Sequence, residues 1–320
     1  MNLSLIIPVY NEKDTLPSLF DAIYKTMNAL GQSWEVILVD DGSQDDSLSV
    51  LKEYAQKDAQ HVRVISFRRN FGQTPAIAAG LDYAQGEIII LLDADMQNDP
   101  ADIPMMLAKL DEGYDLVSGW RKSRKDNVFT RNLPSMMANW LISRVTGVHL
   151  HDYGCTLKAY RRDVLEGFRL YGEMHRFIPV FASSVGAKIT EVPVQHYARK
   201  FGKTKYGLER TVKVVLDLFT VKFLVAFASK PIYLFGGTGG LLITLSTVSM
   251  IYLFIRRVFF SISVMGSPLF QVSAMLFILG FQSMLMGLIA ELLVRTYHES
   301  QRKPTYTIRT MLNLDQDPRE

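Results

Sequence analysis

A chain of 320 residues with a formal charge of only +3 has room for one large or two modest domains, and lacks the excess of basic charge that nucleic-acid binding requires. No basic stripe with interleaved aromatics runs through the first 120 residues, so no nucleic-acid partner is expected. The single cysteine, Cys155, excludes an intramolecular disulfide and agrees with a reducing cytoplasmic setting.

The amino terminus lacks the basic flank of a signal peptide, and its apolar run Leu3 to Val9 is only strand length. Asp14 to Leu30 reads as the following helix, with Leu16, Leu19, Phe20, Ile23 and Met27 on one face. The unit then repeats: strand Trp34 to Val39, helix Asp45 to Gln56, strand Val62 to Phe67, helix Thr74 to Ala84, strand Glu87 to Leu92. Further strands are expected at Asp115 to Gly119, Tyr153 to Tyr160 and Lys188 to Val194. This alternation implies a Rossmann-like α/β domain with a mostly parallel sheet and helices on both faces. Ligands of such sheets bind beyond the carboxyl ends of the strands. Here those ends carry Tyr10-Asn11-Glu12, Asp40-Asp41-Gly42-Ser43 and Asp93-Ala94-Asp95. A Gly-rich phosphate loop is absent from the first turn, so a dinucleotide or Walker-type site is not expected.

Asp93 and Asp95 are the most informative of these residues, because side chains two apart on an extended backbone point the same way. Two unit charges about 4 Å apart repel by roughly 4 kcal/mol at an effective dielectric near 20, so a cation is expected between them. Oxygen-only ligands suit Mg²⁺ or Mn²⁺. The alternative is that Asp95 and Asp99 merely start a helix before Pro100.

Beyond the sheet lie two amphipathic segments. In Leu133 to Val145, Met137, Trp140, Leu141 and Val145 share a face opposite Ser135, Asn139 and Ser143; in Leu208 to Lys230, Glu209, Lys213 and Asp217 form a polar stripe. Either can lie in a membrane interface or pack against the sheet. Pro231 to Ile255 has no charged residue and as a helix would extend roughly 37 Å, against a hydrocarbon core of about 30 Å. Leu269 to Val294 carries only Glu291. Arg256 and Arg257 fall between the spans, whereas Lys213, Lys222, Lys230, Arg295, Arg302, Lys303 and Arg309 flank them, which puts both flanks in the cytoplasm. Gly236, Gly237, Gly239 and Gly240 suggest close helix packing, within the chain or between subunits of a homo-oligomer. The domain reading is therefore a catalytic domain over 1–200 with an interfacial helix near 131–146, a basic loop and juxtamembrane helix over 201–230, two transmembrane helices over 231–294 and a cytoplasmic tail over 295–320.

Taken together, Ile6-Ile7-Pro8-Val9-Tyr10-Asn11-Glu12, Val39-Asp40-Asp41-Gly42-Ser43-Gln44-Asp45 and Asp93-Ala94-Asp95-Met96-Gln97 resemble an inverting nucleotide-sugar glycosyltransferase of the GT-A fold. Arg69-Asn70-Phe71-Gly72-Gln73, Ser118-Gly119-Trp120-Arg121 and the two spans narrow the resemblance to the polyprenyl-phosphate glycosyltransferases, the group of dolichol-phosphate mannose synthase. The resemblance implies that Pro8, Tyr10, Glu12, Asp41 and Asp93 bind the nucleotide sugar, and that Asp93, Asp95 and Gln97 surround Mg²⁺ or Mn²⁺ and the diphosphate. It further implies that Arg121, Arg131, Arg199 and Lys203 hold the acceptor phosphate, the last two within the basic loop Arg199-Lys200-Phe201-Gly202-Lys203-Thr204-Lys205-Tyr206. Asp95, Arg121 and Asp152 are the catalytic candidates. Asp152, in His151-Asp152-Tyr153-Gly154-Cys155, would either activate the acceptor or bind a sugar hydroxyl; His149 and His151 receive no role.

The implied reaction is transfer of a hexose to undecaprenyl phosphate at a bacterial cytoplasmic (inner) membrane, with a multi-pass protein whose catalytic domain faces the cytoplasm. The pattern most resembles glucose transfer from UDP-glucose, although mannose, N-acetylhexosamine or aminoarabinose transfer would leave the same motifs. A processive polysaccharide synthase is disfavoured because none of Trp34, Trp120 and Trp140 follows an arginine, as the Gln-x-x-Arg-Trp motif requires. A noncatalytic nucleotide-sugar binder remains the third reading.

Overall fold

The computed structural model describes residues 1–122, 133–165, 170, 174–197, 232–260, 263–264, 266–300 and 306–314. Arg131, Arg199, Lys203 and the amphipathic segment over 208–230 lie outside the described residues. The chain divides into two units, one over 1–221 and 304–320 and one over 222–303.

The first unit is built on a sheet in the order β7-β5-β6-β4-β1-β2-β3-β8. Its central strands β1 (Leu3–Val9), β2 (Trp34–Asp40), β3 (Val62–Phe67) and β4 (Ile88–Leu91) are parallel neighbours, with Val9 opposite Asp40 and Ile6 opposite Leu91. Burial on both faces explains why these strands read as continuous apolar runs. Leu3, Leu5, Ile7 and Val9 join the core that contains Leu16, Leu19, Phe20, Ile23 and Met27 of α1 (Leu16–Leu30) and Leu51 and Ala55 of α2 (Ser47–Lys57). α3 (Gln73–Tyr83) packs against β1 and β2, and α4 (Ile103–Asp111) adds Ile103, Met106 and Leu110 to the core. Gly31, at φ 63°, ends α1 in the left-handed conformation.

The sheet is mixed, with parallel pairs predominating. β5 (Leu116–Trp120) runs parallel to β7 (Ile189–Pro193), whereas β6 (Lys158–Arg161) is antiparallel to both β4 and β5. The strand expected from Tyr153 is thus confined to its last residues, because 153–157 form the turn that serves the site. A strand not expected from the sequence, β8 (Ile308–Leu312), lies in the segment read as a tail and pairs antiparallel with β3, Val64 opposite Leu312. Tyr306 stacks on Phe67 at 5.2 Å and donates its hydroxyl to Asp82, while Asn313 donates to the carbonyls of Ala55 and Val62. In α5 (Leu133–Thr146), Ile142 is buried, but Trp140 is 66% exposed, the reverse of a helix that turns its bulkiest apolar group to the sheet.

The second unit is a helical hairpin of α7 (Ile232–Phe260) and α8 (Pro268–Ser300), with α6 (Ile178–Ser184) preceding it in the first unit. Both helices are long and apolar enough to cross a membrane, and Leu241, Val248, Phe254, Met275, Phe281 and Leu288 are exposed along them. Arg256 and Arg257 belong to the end of α7 rather than to the connector where the sequence reading placed them. The glycine stripe is used within the chain: a Cβ on Gly239 would lie 2.6 Å from the carbonyl oxygen of Gly280. Ser246 donates to the Ser273 carbonyl at 2.6 Å and Ser283 to that of Phe235 at 2.9 Å, which sets the helices antiparallel.

Candidate active site

The parallel register brings the ends of β1, β2 and β4 to one edge of the sheet. At the first, Pro8 and Tyr10 are half-buried, and Asn11 turns the chain at φ 53°. The Asn11 side-chain oxygen accepts from Gln44 N at 2.7 Å, and its own N–H donates to Ser43 Oγ at 3.0 Å, tying the β1 and β2 turns together. The Glu12 carboxylate accepts from Thr15 Oγ1 at 3.1 Å at the start of α1.

Asp41 is the buried carboxylate of this end. Its oxygens accept from Phe71 N at 2.7 Å and Gly72 N at 2.9 Å. Burial pushes its pKa up to about 6, against the pull of those two N–H groups. Gly42 has φ 68°, and a Cβ there would meet the backbone of Arg69 at 2.4 Å, so only glycine lets the 69–72 segment close over the turn. Asp40 faces inward instead, accepting from Ser43 N and Ser66 Oγ.

At the end of β4, Asp93 accepts from Gln73 Nε2 at 2.7 Å and from the hydroxyl of Thr156. Burial, then the neighbouring Asp95, push the Asp93 pKa up to about 6; Thr156, Arg121 and Lys158 work the other way. Asp95 is 8% exposed and accepts from Gln97 N at 3.1 Å, across Met96 at φ 58°. The capping alternative is realised at Asp99, which accepts from Ala101 N at 2.9 Å, and not at Asp95. Burial, and after it the charge of Asp95, raise the proton affinity of Asp93, and two hard carboxylates at one turn, followed by Gln97, fit a divalent magnesium or manganese ion. Tyr197, the last described residue before the basic loop, donates its N–H to the Gln97 carbonyl at 2.9 Å.

The third cluster faces Asp93 from β5 and the β6 turn. Arg121 donates through Nε to Asp152 Oδ2 at 2.7 Å and through Nη2 to Oδ1 at 2.9 Å, and Gly154 N adds a bond to Oδ1 at 3.1 Å. Arg121 is 17% exposed at its side chain and Asp152 1%. Burial pulls the arginine pKa down, and the bonds and charge of Asp152 more than reverse this, so the guanidinium stays charged. Lys158, fully buried beneath, donates to the carbonyls of Tyr153 and Cys155; burial lowers its pKa.

Asp93, Asp95, Gln97, Arg121 and Asp152 therefore come together, with Tyr10, Glu12 and Asp41 along the same edge. Sequence reasoning missed Gln73, Thr156 and Lys158. Gln73 closes the Arg69–Gln73 motif and was within reach, whereas nothing local marks Thr156 or Lys158.

A parallel-centred sheet carrying acidic residues at its strand ends, with an arginine fixed among them, is the arrangement that the resemblance to GT-A glycosyltransferases implies. The chain belongs to glycosyl transferase family 2, whose model matches residues 4–168. It is 40% identical over 316 residues to the dodecaprenyl-phosphate galacturonate synthase of Rhizobium johnstonii, covering 98% of this chain and 94% of that one. It is 38% identical over 311 residues to the undecaprenyl-phosphate 4-deoxy-4-formamido-L-arabinose transferase of Klebsiella pneumoniae subsp. pneumoniae, covering 97% and 93%. In fold it is similar to glucosyl-3-phosphoglycerate synthase from Mycobacterium tuberculosis in complex with Mn²⁺, UDP and phosphoglyceric acid, with TM-score 0.53, 19% identity, and 70% of this chain and 78% of that one covered. The protein is thus an enzyme, a glycosyltransferase, and its relatives are polyprenyl-phosphate glycosyltransferases.

Proposed function

We propose that this enzyme transfers a sugar from a nucleotide diphosphate to a polyprenyl phosphate at the cytoplasmic face of a bacterial membrane, with inversion at the anomeric carbon. The observation that carries the reading is the arginine held by Asp152 opposite the Asp93-Asp95 carboxylates at one sheet edge. Full-length likeness to two lipid-phosphate sugar transferases supports the acceptor class. The galacturonate and formamido-arabinose named for those relatives favour another sugar over the glucose read from the sequence. We take the donor to be a UDP-linked uronic acid or 4-amino-4-deoxypentose derivative.

The chemistry requires little of a protein base. A phosphate monoester has a second pKa near 6, so the acceptor is largely dianionic at neutral pH. Its oxygen bonds to the anomeric carbon as the bond to the nucleotide's diphosphate oxygen breaks. Arg121, with Arg131, Arg199 and Lys203 in supporting roles, counters the repulsion between the two anions and orients the acceptor. Asp152 serves this step as the anchor of Arg121, in place of the base or sugar-hydroxyl roles considered from sequence. Asp41, with Pro8, Tyr10 and Glu12, holds the nucleoside. A divalent ion bound by Asp93, Asp95 and Gln97 would neutralise charge on the departing diphosphate.

The hairpin supports the membrane assignment, since the chain leaves the sheet unit before 222 and rejoins it as β8. Two crossings would return it to the same side, and the basic flanks support the cytoplasm as that side. The test is incubation of membranes containing the protein with Mg²⁺, undecaprenyl phosphate and labelled UDP-galacturonate, UDP-4-formamido-arabinose, UDP-glucose or GDP-mannose, each with and without chelator. Chelator-sensitive lipid-linked product from one of the first two is expected. No lipid-linked product from any donor would refute the assignment.

A further inference from the structure

We infer that Glu191 is a positioning residue for the transfer step: it clamps the His151-Asp152 turn so that Asp152 can hold Arg121 in place. The inference rests on the acceptor role proposed for Arg121. Glu191 lies on β7, directly opposite Ser118 of β5, two residues before Trp120 and three before Arg121. Its side chain is 12% exposed.

The Glu191 carboxylate takes every polar group that this turn presents to it. It accepts from His151 N at 2.8 and 3.0 Å and from Asp152 N at 3.3 Å, and its Oε2 lies 2.8 Å from His151 Nδ1. The His151 ring stacks on Trp120 at 4.4 Å and 21°, and the His151 carbonyl accepts from Asn139 Nδ2 of α5 at 2.6 Å. The turn is thus fixed from β5, β7 and α5 at once, and Asp152 projects from it into the bidentate pair with Arg121.

A carboxylate suits this place for a chemical reason. Convergent N–H donors need acceptor oxygens that carry no hydrogens of their own, and a carboxylate offers two. An amide of the same length offers one, and turns its NH₂ group toward the remaining donors. Among the described residues the only ion-pair partner of Glu191 is His151, so the carboxylate is committed to the turn rather than to a lysine or arginine. A shift of about 1 Å in a reacting or orienting group can cost roughly 100-fold in rate, and the turn is where such a shift in Arg121 would begin.

The test compares full-length wild type, Glu191→Ala and Glu191→Gln in membranes. Initial rates are read against nucleotide sugar and against polyprenyl phosphate, and backbone hydrogen exchange is followed at 151–154. Glu191→Ala is expected to lower kcat or raise the KM for polyprenyl phosphate by about 10- to 100-fold, leaving the KM for nucleotide sugar unchanged. Exchange at His151 and Asp152 should accelerate. Glu191→Gln should fall between the two, and carries the test if the alanine variant does not accumulate. A variant whose kcat and lipid KM equal wild type, or whose exchange at 151–152 is unchanged, overturns the positioning role. A wild-type protein that makes no lipid-linked sugar from any donor instead overturns the acceptor reading on which the role rests.

Discussion

Replacing Asp152 by asparagine separates an anchor from a base. In the structure the two Asp152 oxygens receive Arg121 Nε at 2.7 Å and Nη2 at 2.9 Å, and Gly154 N at 3.1 Å. An asparagine keeps one of those acceptors and sets an NH₂ group against a donor, so at least one charge-assisted bond is lost, worth about 1.5–3 kcal/mol. The guanidinium also loses the counter-charge it is hydrogen-bonded to, with Asp93 the negative charge left nearby. Removing one partner of a buried pair costs about 3–5 kcal/mol, and the 17% exposure of Arg121 places the loss near the lower figure. Arg121→Met strands a carboxylate that is 1% exposed, so it should destabilise at least as much. In the double variant both charges are gone, and a coupling of about 2–3 kcal/mol should be recovered. Turnover sharpens the distinction. If Asp152 only anchors Arg121, the double variant should turn over as slowly as Arg121→Met and no slower. If Asp152 were a general base, its removal would cost a further factor of about 100 to 10,000, multiplied onto the arginine loss. Thermal unfolding followed by intrinsic fluorescence and initial rates at saturating substrates measure the two halves of the cycle. Multiplicative rates, with no recovery of stability in the double variant, would refute the anchor.

Asp41, lifted to about 6 by burial, should make donor binding pH-dependent in one direction. If Asp41 holds the nucleoside as proposed, the KM for nucleotide sugar rises as pH falls through about 6 and is flat above it, because the ionised carboxylate is the stronger acceptor; Asp93 also sits near 6 and serves the same donor, so Asp41→Asn should reduce the rise to the Asp93 share. Gly42→Ala places a Cβ 2.4 Å from the Arg69 carbonyl carbon in a left-handed turn. That conformation alone costs about 1–2 kcal/mol, so the donor KM should rise several-fold with the lipid KM unchanged; equal effects on both would count against a nucleotide role for this turn. Tyr306→Ala removes a ring stack worth about 0.5–1.5 kcal/mol and a bond to a carboxylate worth about 1.5–3 kcal/mol. Amide exchange over Ile308–Leu312 should then accelerate at least ten-fold, and unchanged protection would show that the strand docks without its tyrosine.

The carboxyl ends of the central strands were legible because a buried parallel strand writes a continuous apolar run, and the polar residues that end it fall at one edge. Element ends slipped by a residue or two: the first helix begins at Leu16 rather than Asp14, since Pro17 fills its first turn and Thr15 bonds back to the Glu12 carbonyl. Strand partners were not legible. β6 and β8 are antiparallel neighbours of β4 and β3, a choice set by distant register and by no local period. The residues of the site divide in the same way. Asp41, Asp93, Asp95 and Arg121 stand at strand ends and could be named from the sequence. The pairing of Arg121 with Asp152 and the clamp of Glu191 join residues far apart in the chain, and no spacing announces them. The segment from Leu133 was legible as a helix, but its period leaves open which side meets the protein, and the structure buries Ile142 and exposes Trp140.

The pairing of β3 with β8 also dictates an order of assembly. While the ribosome makes the hairpin of α7 and α8, the outer edge of β3 has no strand beside it, and Val64 waits for Leu312. An open edge recruits other strands, so this chain passes through synthesis with an aggregation-prone seam. Synthesis of the hairpin therefore comes before completion of the sheet. A fault in the hairpin would thus be felt in the sheet unit, at the strand whose far end leads into the segment that covers Asp41.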